Sequence, residues 1–174
     1  MAGLTIQEMR LTPMAAEAAR LVLAKHPDAH FTSGKRDIMD QARAMAQNAF
    51  TYGPAWLNDT YKDKRIVKCL MTWMEENPEK CGDPRVLGHH FYEQLQNNFS
   101  GELMKFPHVR GDAFDIRYPR LKNGLYDAPA AQRIMATLRQ LPEHGIALDW
   151  VTDQEGQHKV IHAQFKAGVG SVEV

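Results

Sequence analysis

His108, Gly111, Ala113 and Asp115 stand in the order H-x-x-G-x-A-x-D and run straight into Ile116. Neutral imidazole and carboxylate are two of the standard zinc ligand types, and a catalytic zinc is held by three protein ligands with water in the fourth position. His108 and Asp115 therefore read as two ligands of a catalytic zinc, with the third expected near the C-terminus. Gly111 allows the tight backbone turn that would fold His108 back toward Asp115.

A small sheet is the platform such ligands need, because alternate residues of a strand share one side. On a strand around Asp115, Ala113 and Asp115 share a face, while Phe114 and Ile116 point into the core. Two alternating stretches near the C-terminus, Ile146 to Thr152 and His158 to Phe165, flank Asp153-Gln154-Glu155-Gly156-Gln157 and read as a hairpin. A two-residue turn at Glu155-Gly156 would set Asp149 directly opposite His162. Leu148, Trp150, Ile161, Ala163 and Phe165 then form an apolar face, with Asp149, Val151, Val160 and His162 on the other. In this register His162 is the third ligand. Asp149 beside it is a general base on the zinc-bound water, or a partner that orients an imidazole.

These segments resemble the zinc D-alanyl-D-alanine peptidases, a family with the Hedgehog-type fold. H-x-x-G-x-A-x-D followed by an apolar residue is similar to that family's zinc signature, and its four fixed positions would arise in a chain of this length roughly once in a thousand. Val160-Ile161-His162-Ala163-Gln164-Phe165 looks like the late strand that carries the family's third ligand. Phe31-Thr32-Ser33-Gly34-Lys35-Arg36 is similar to its S-G-x-R segment. The resemblance implies one Zn2+ held by His108, Asp115 and His162, with Arg36 as the substrate or transition-state electrophile and Ser33 as a substrate contact. Many members carry an acidic base three residues before the last histidine. Here that residue is Lys159, which cannot do a carboxylate's work; Asp149 is the substitute, with His158 and Glu155 behind it. The implied reaction is hydrolysis of a peptide bond of bacterial peptidoglycan, in a stem peptide or a cross-link. Small members without a signal peptide are typical of bacteriophage endolysins and virion-associated lysins, which reach the wall with a holin or a virion.

Helix signals supply the framework for these groups. Thr12-Pro13 opens a helix over Met14 to Lys25, ended by His26-Pro27-Asp28. A short strand follows at Ala29 to Thr32. Asp37 caps a second helix from Ile38 to about Phe50, with Met39, Ala42, Ala46 and Ala49 near one face. One or two helices lie between Pro54 and Asn77, and Asp83-Pro84 starts another to about Asn98. Asp127-Ala128-Pro129 opens the last, from Ala130 to Leu141. The order is helix, strand, several helices, strand, helix, hairpin. That is an α+β fold: a small antiparallel sheet carrying the zinc site, packed by helices, with a large helical insertion over about 37–105. The whole chain, 1–174, reads as a single domain.

Composition bounds the function. The 174 residues carry 21 lysines and arginines against 21 aspartates and glutamates, and this balance argues against a nucleic-acid partner. No segment approaches membrane-span length, so no membrane insertion is expected. The N-terminus lacks a secretory signal pattern; the expectation is synthesis in the cytoplasm and action at the cell wall. Cys69 and Cys81 are expected as free thiols. Two other readings keep a place. One is a catalytically inactive domain of the same fold that binds zinc or wall peptide, suggested by Lys159. The other is a helical structural or interaction protein whose working part is the insertion.

Overall fold

The computed structural model describes residues 3–61, 63–154 and 159–167. Its order is α1 (Pro13–Lys25), β1 (Phe31–Ser33), α2 (Ile38–Tyr52), α3 (Ala55–Thr60), α4 (Lys64–Glu76), α5 (Pro84–Phe99), α6 (Pro107–Arg110), β2 (Ala113–Arg117), α7 (Ala128–Arg139), β3 (Leu148–Thr152) and β4 (Val160–Phe165). The class is α+β, as the sequence pattern predicts. Asp37, Asp83 and Asp127 cap α2, α5 and α7 by accepting from the backbone N–H groups of Asp40, Arg85 and Ala130. Each cap satisfies one of the donors that a helix start leaves unpaired.

The four strands form one antiparallel sheet in the order β1-β2-β4-β3. The chain divides into two compact units. In the first, the sheet packs one face on α1 and α7. Phe31, Phe114, Ile116, Ile161, Ala163 and Phe165 meet Ala15, Ala18, Ala19, Val22, Ile134 and Leu138 in one buried cluster. Alanine along α1 keeps its packing surface flat enough to lie close to the aromatic side chains of the sheet. Each large apolar side chain buried this way contributes about 1.5–3 kcal/mol.

The second unit spans Arg36–Val109 and is helical. Its core is Ala42, Met45, Ala46 and Ala49 of α2 with Trp56, Leu57, Ile66, Val67, Leu70, Leu87, Phe91 and Leu95. The expected insertion over 37–105 therefore has a core of its own. Cys69 and Cys81 are free and partly buried. Among the described residues no helix is long and apolar enough to cross a membrane.

Candidate metal centre

β2 and β4 are the two inner strands, and each contributes one ligand candidate. Their register sets Asp115 against His162, and the side chains meet: His162 Nδ1 lies 2.9 Å from Asp115 Oδ1. Phe114 and Ile116, at 0% exposure, take the opposite side of β2 and enter the core, as strand alternation requires. Asp115 at 7% and His162 at 5% exposure are nevertheless buried, and a buried carboxylate or imidazole needs a partner of opposite or coordinating character.

His108 sits on α6, two residues before the chain re-enters the sheet unit. Phe106 and Val109 on either side of it belong to the helical core. Its carbonyl accepts the Arg36 backbone N–H at 3.0 Å. Gly111 then adopts φ +88°, a value that favours glycine, and its carbonyl accepts the Thr12 N–H at 3.0 Å. This is the tight turn anticipated between His108 and Asp115. One ligand atom from each of His108, Asp115 and His162 lies within 4.8 Å of the others, and all three residues are buried. Two imidazoles and a carboxylate gathered in this way can hold a metal ion, and this is the donor set that three-ligand zinc sites use.

Arg36 and Ser33 are two further residues that the sequence pattern assigns to the site. The Arg36 guanidinium reaches Gln41 Oε1 at 3.5 Å, and Gln41 Nε2 donates to Tyr61 Oη at 3.1 Å. Gln41 is 2% exposed, so a buried polar chain underlies Arg36. Ser33 pairs with Asp115 across β1 and β2, and its buried Oγ has no hydrogen-bond partner among the described residues. A buried hydroxyl without a partner is uncommon in native proteins, and this one adjoins the Asp115 strand position.

The expected hairpin register needs correction. Thr152, not Asp149, stands opposite His162, and an irregularity between Leu148 and Trp150 shifts the pairing of the first part of β3. An extra residue in one strand changes which side chains share a face. Val151 therefore packs on the core instead of beside His162. Trp150, expected in the core, is 41% exposed and sets its ring 5.5 Å from that of His162. Asp149 accepts a hydrogen bond from Gln164, two residues along β4 from His162. The turn proposed at Glu155-Gly156 lies outside the described residues, as do His158 and Glu155 as candidate bases.

Lys159, at the position acidic in many zinc peptidases of the resembled kind, donates to Gln154 Oε1 at 3.0 Å and lies 5.4 Å over the Tyr118 ring. Burial first, and then the neighbouring Asp153 carboxylate, push the Tyr118 phenol above its ordinary range. Sequence reasoning missed Trp150 as a neighbour of His162, and it missed the Gln41–Tyr61 support beneath Arg36. The first was hidden by the strand irregularity; the second joins α2 to Tyr61, the residue that follows α3, 20 positions away. Comparison with protein-family models, with curated proteins and with solved structures gives no match.

Proposed function

We propose that this chain is a zinc-dependent hydrolase of peptide bonds in bacterial peptidoglycan, acting as an endolysin or virion-associated lysin does. The observation that carries the reading is the meeting of His108, Asp115 and His162, buried and within 4.8 Å, in the spacing H-x-x-G-x-A-x-D with a late-strand histidine. Zinc held there would supply an activated water and a Lewis acid toward the scissile carbonyl.

The chain's own residues take the remaining roles. Arg36, always charged and fork-shaped, holds a substrate carboxylate or the oxyanion that develops on the carbonyl. Ser33, whose Oγ is buried without a described partner, lies beneath the site at the strand position paired with Asp115. Trp150, partly exposed beside His162, gives the peptide an apolar wall and keeps water from it. The proton that leaves the attacking water needs a carboxylate, and Asp149 on β3 is assigned that work. Asp149 lies three residues before Thr152, the residue opposite His162.

A second reading, a domain of the same fold that binds zinc and wall peptide without cleaving it, is favoured by Lys159 and by the position of Asp149. Purified sacculi, with elemental analysis of the protein, separate the two. Hydrolysis releasing new amino groups, lost in Asp115→Ala and on chelation, supports the peptidase. Stoichiometric zinc and sacculus binding without released amines supports the binder. Absence of zinc at any loading removes both. Asp149→Asn with full activity would move the base elsewhere.

A further inference from the structure

The sheet unit contains a second feature that the metal centre does not use. A cavity of about 460 Å³ lies where the end of α1, the end of β2 and the first turns of α7 meet. Lys25, Arg117, Arg120 and Arg133 line it, against a single carboxylate, that of Asp28. Among the described residues none of these four cations is in an ion pair. Arg120 is held in place: it donates to the Gly124 carbonyl at 2.7 Å and lies 4.5 Å over the Tyr126 ring. The side chains of Lys25, Arg117 and Arg133 have no comparable described partner.

Burial and the concentration of charge act together on two imidazoles here. Burial first, then Arg133 and Lys25, hold the His26 imidazole below its ordinary range, and burial and Arg117 do the same to His30. Both imidazoles line the same cavity. A chain with zero net charge thus keeps several cations without an ion pair among the described residues around one concavity, where the potentials add and an anion is attracted. Pro27, Pro119 and Ile134 supply apolar wall beside them.

We propose that this cavity binds the phosphoryl group of a small organic phosphate, with Arg117, Arg133 and Lys25 as its anion-binding groups. Two guanidinium forks and an ammonium offer more donors than the two oxygens of one carboxylate can accept, whereas the three oxygens of a phosphate monoester can be shared among them. The volume lies in the range of small-ligand sites, about 300–1,000 Å³, and exceeds what a bare anion fills. The apolar wall then receives the body of the ligand. The inference is independent of the metal reading.

The test is a titration of the isotope-labelled full chain at constant ionic strength, followed by amide chemical shifts, with glucose 6-phosphate, inorganic phosphate, glucose and acetate as probes. Saturable shifts are expected at residues 25–30, 117–120 and 130–134 with both phosphates, tighter for the sugar phosphate. Arg117→Gln and Arg133→Gln, both exposed positions, each weaken binding at least tenfold with an unchanged melting temperature. A pair of variants guards against one failing to fold. Acetate binding as tightly as phosphate, glucose alone giving the same shifts, undiminished affinity in both variants, or no saturable shift at these residues would each overturn the proposal.

Discussion

Asp115 and His162 are the residues on which the candidate centre depends, since each is buried and each holds the other at 2.9 Å. Asp115→Asn keeps the shape and a hydrogen bond but removes the charge that a divalent ion needs. Loss of an outer-shell partner of a metal ligand already costs roughly 10–100-fold in affinity, so loss of ligand charge is expected to cost about a hundredfold or more. Competition with a chromophoric chelator measures it, and affinity equal to the wild type would remove Asp115 from the ligand set. Trp150 provides a second readout at this scale. Its ring lies 5.5 Å from His162, whereas Trp56 packs in the helical core and Trp73 stacks on His90. Binding of Co2+ is expected to quench tryptophan fluorescence, with most of the effect lost in Trp150→Phe. Equal quenching in that variant would place the ion elsewhere. His108 and Asp115 were legible as candidates because residue type and spacing carry the chemistry directly, whereas His162 was reached through the resemblance and through a hairpin register that the structure corrects. Arg36 was legible as a type, but not its backbone bond to the His108 carbonyl, which no side-chain pattern encodes.

Elements explain what the residue pattern leaves out. The helix starts were readable because Asp37, Asp83 and Asp127 cap by local hydrogen bonds. The register of β3 on β4 was not, because it depends on an irregularity at Leu148–Trp150 with no local signature, and one residue of slip exchanges the two faces. The loop after β1 is fixed by packing of another kind. A Cβ on Gly34 would stand 2.5 Å from Met9 Cβ, and the Lys35 N–H bonds the Met9 carbonyl at 2.8 Å. Gly34→Ala should therefore destabilise by about 1–3 kcal/mol through overpacking, read by denaturant melts. A neutral result would show that the Met9 segment yields. The α1 and α7 helices are joined by His26 Nε2 and Thr137 Oγ1 at 2.8 Å, and Thr137 is 7% exposed. His26→Ala leaves that hydroxyl unpaired, at a cost of about 1–3 kcal/mol. The pH dependence has a definite sign. Burial, Arg133 and Lys25 lower the His26 pKa from its ordinary 6.5, so below that value the unfolded chain binds more protons. The resulting stability is full above pH 6.5 and is lost as pH falls through the lower folded value. Stability against pH is expected to be flatter there in His26→Gln, and an unchanged slope would assign the acid sensitivity to other groups.

At the scale of the whole molecule, the α+β class and the helical character of residues 37–105 were visible from hydrophobic period and turn residues. The separate core of that stretch was not, because long-range partners such as Ala46, Leu70 and Phe91 carry no mutual signal in one sequence. The metal reading has a consequence at the same scale. An ion that binds the folded triad and not the unfolded chain stabilises by mass action, about 2.7 kcal/mol at a free concentration one hundred times the dissociation constant. For a chain of this size that is a rise in melting temperature of roughly 5–10 °C. Calorimetry with added zinc should show it, and a chelator should reverse it. Leu70→Ala, a 0% exposed position in the helical core, should lower the melting temperature through a loss of about 2–5 kcal/mol while keeping a zinc-dependent rise. Asp115→Asn should melt near the metal-free wild type and ignore zinc. If it gains as much as the wild type, the stabilising ion sits on other residues, and the centre drawn from His108, Asp115 and His162 is not where zinc binds.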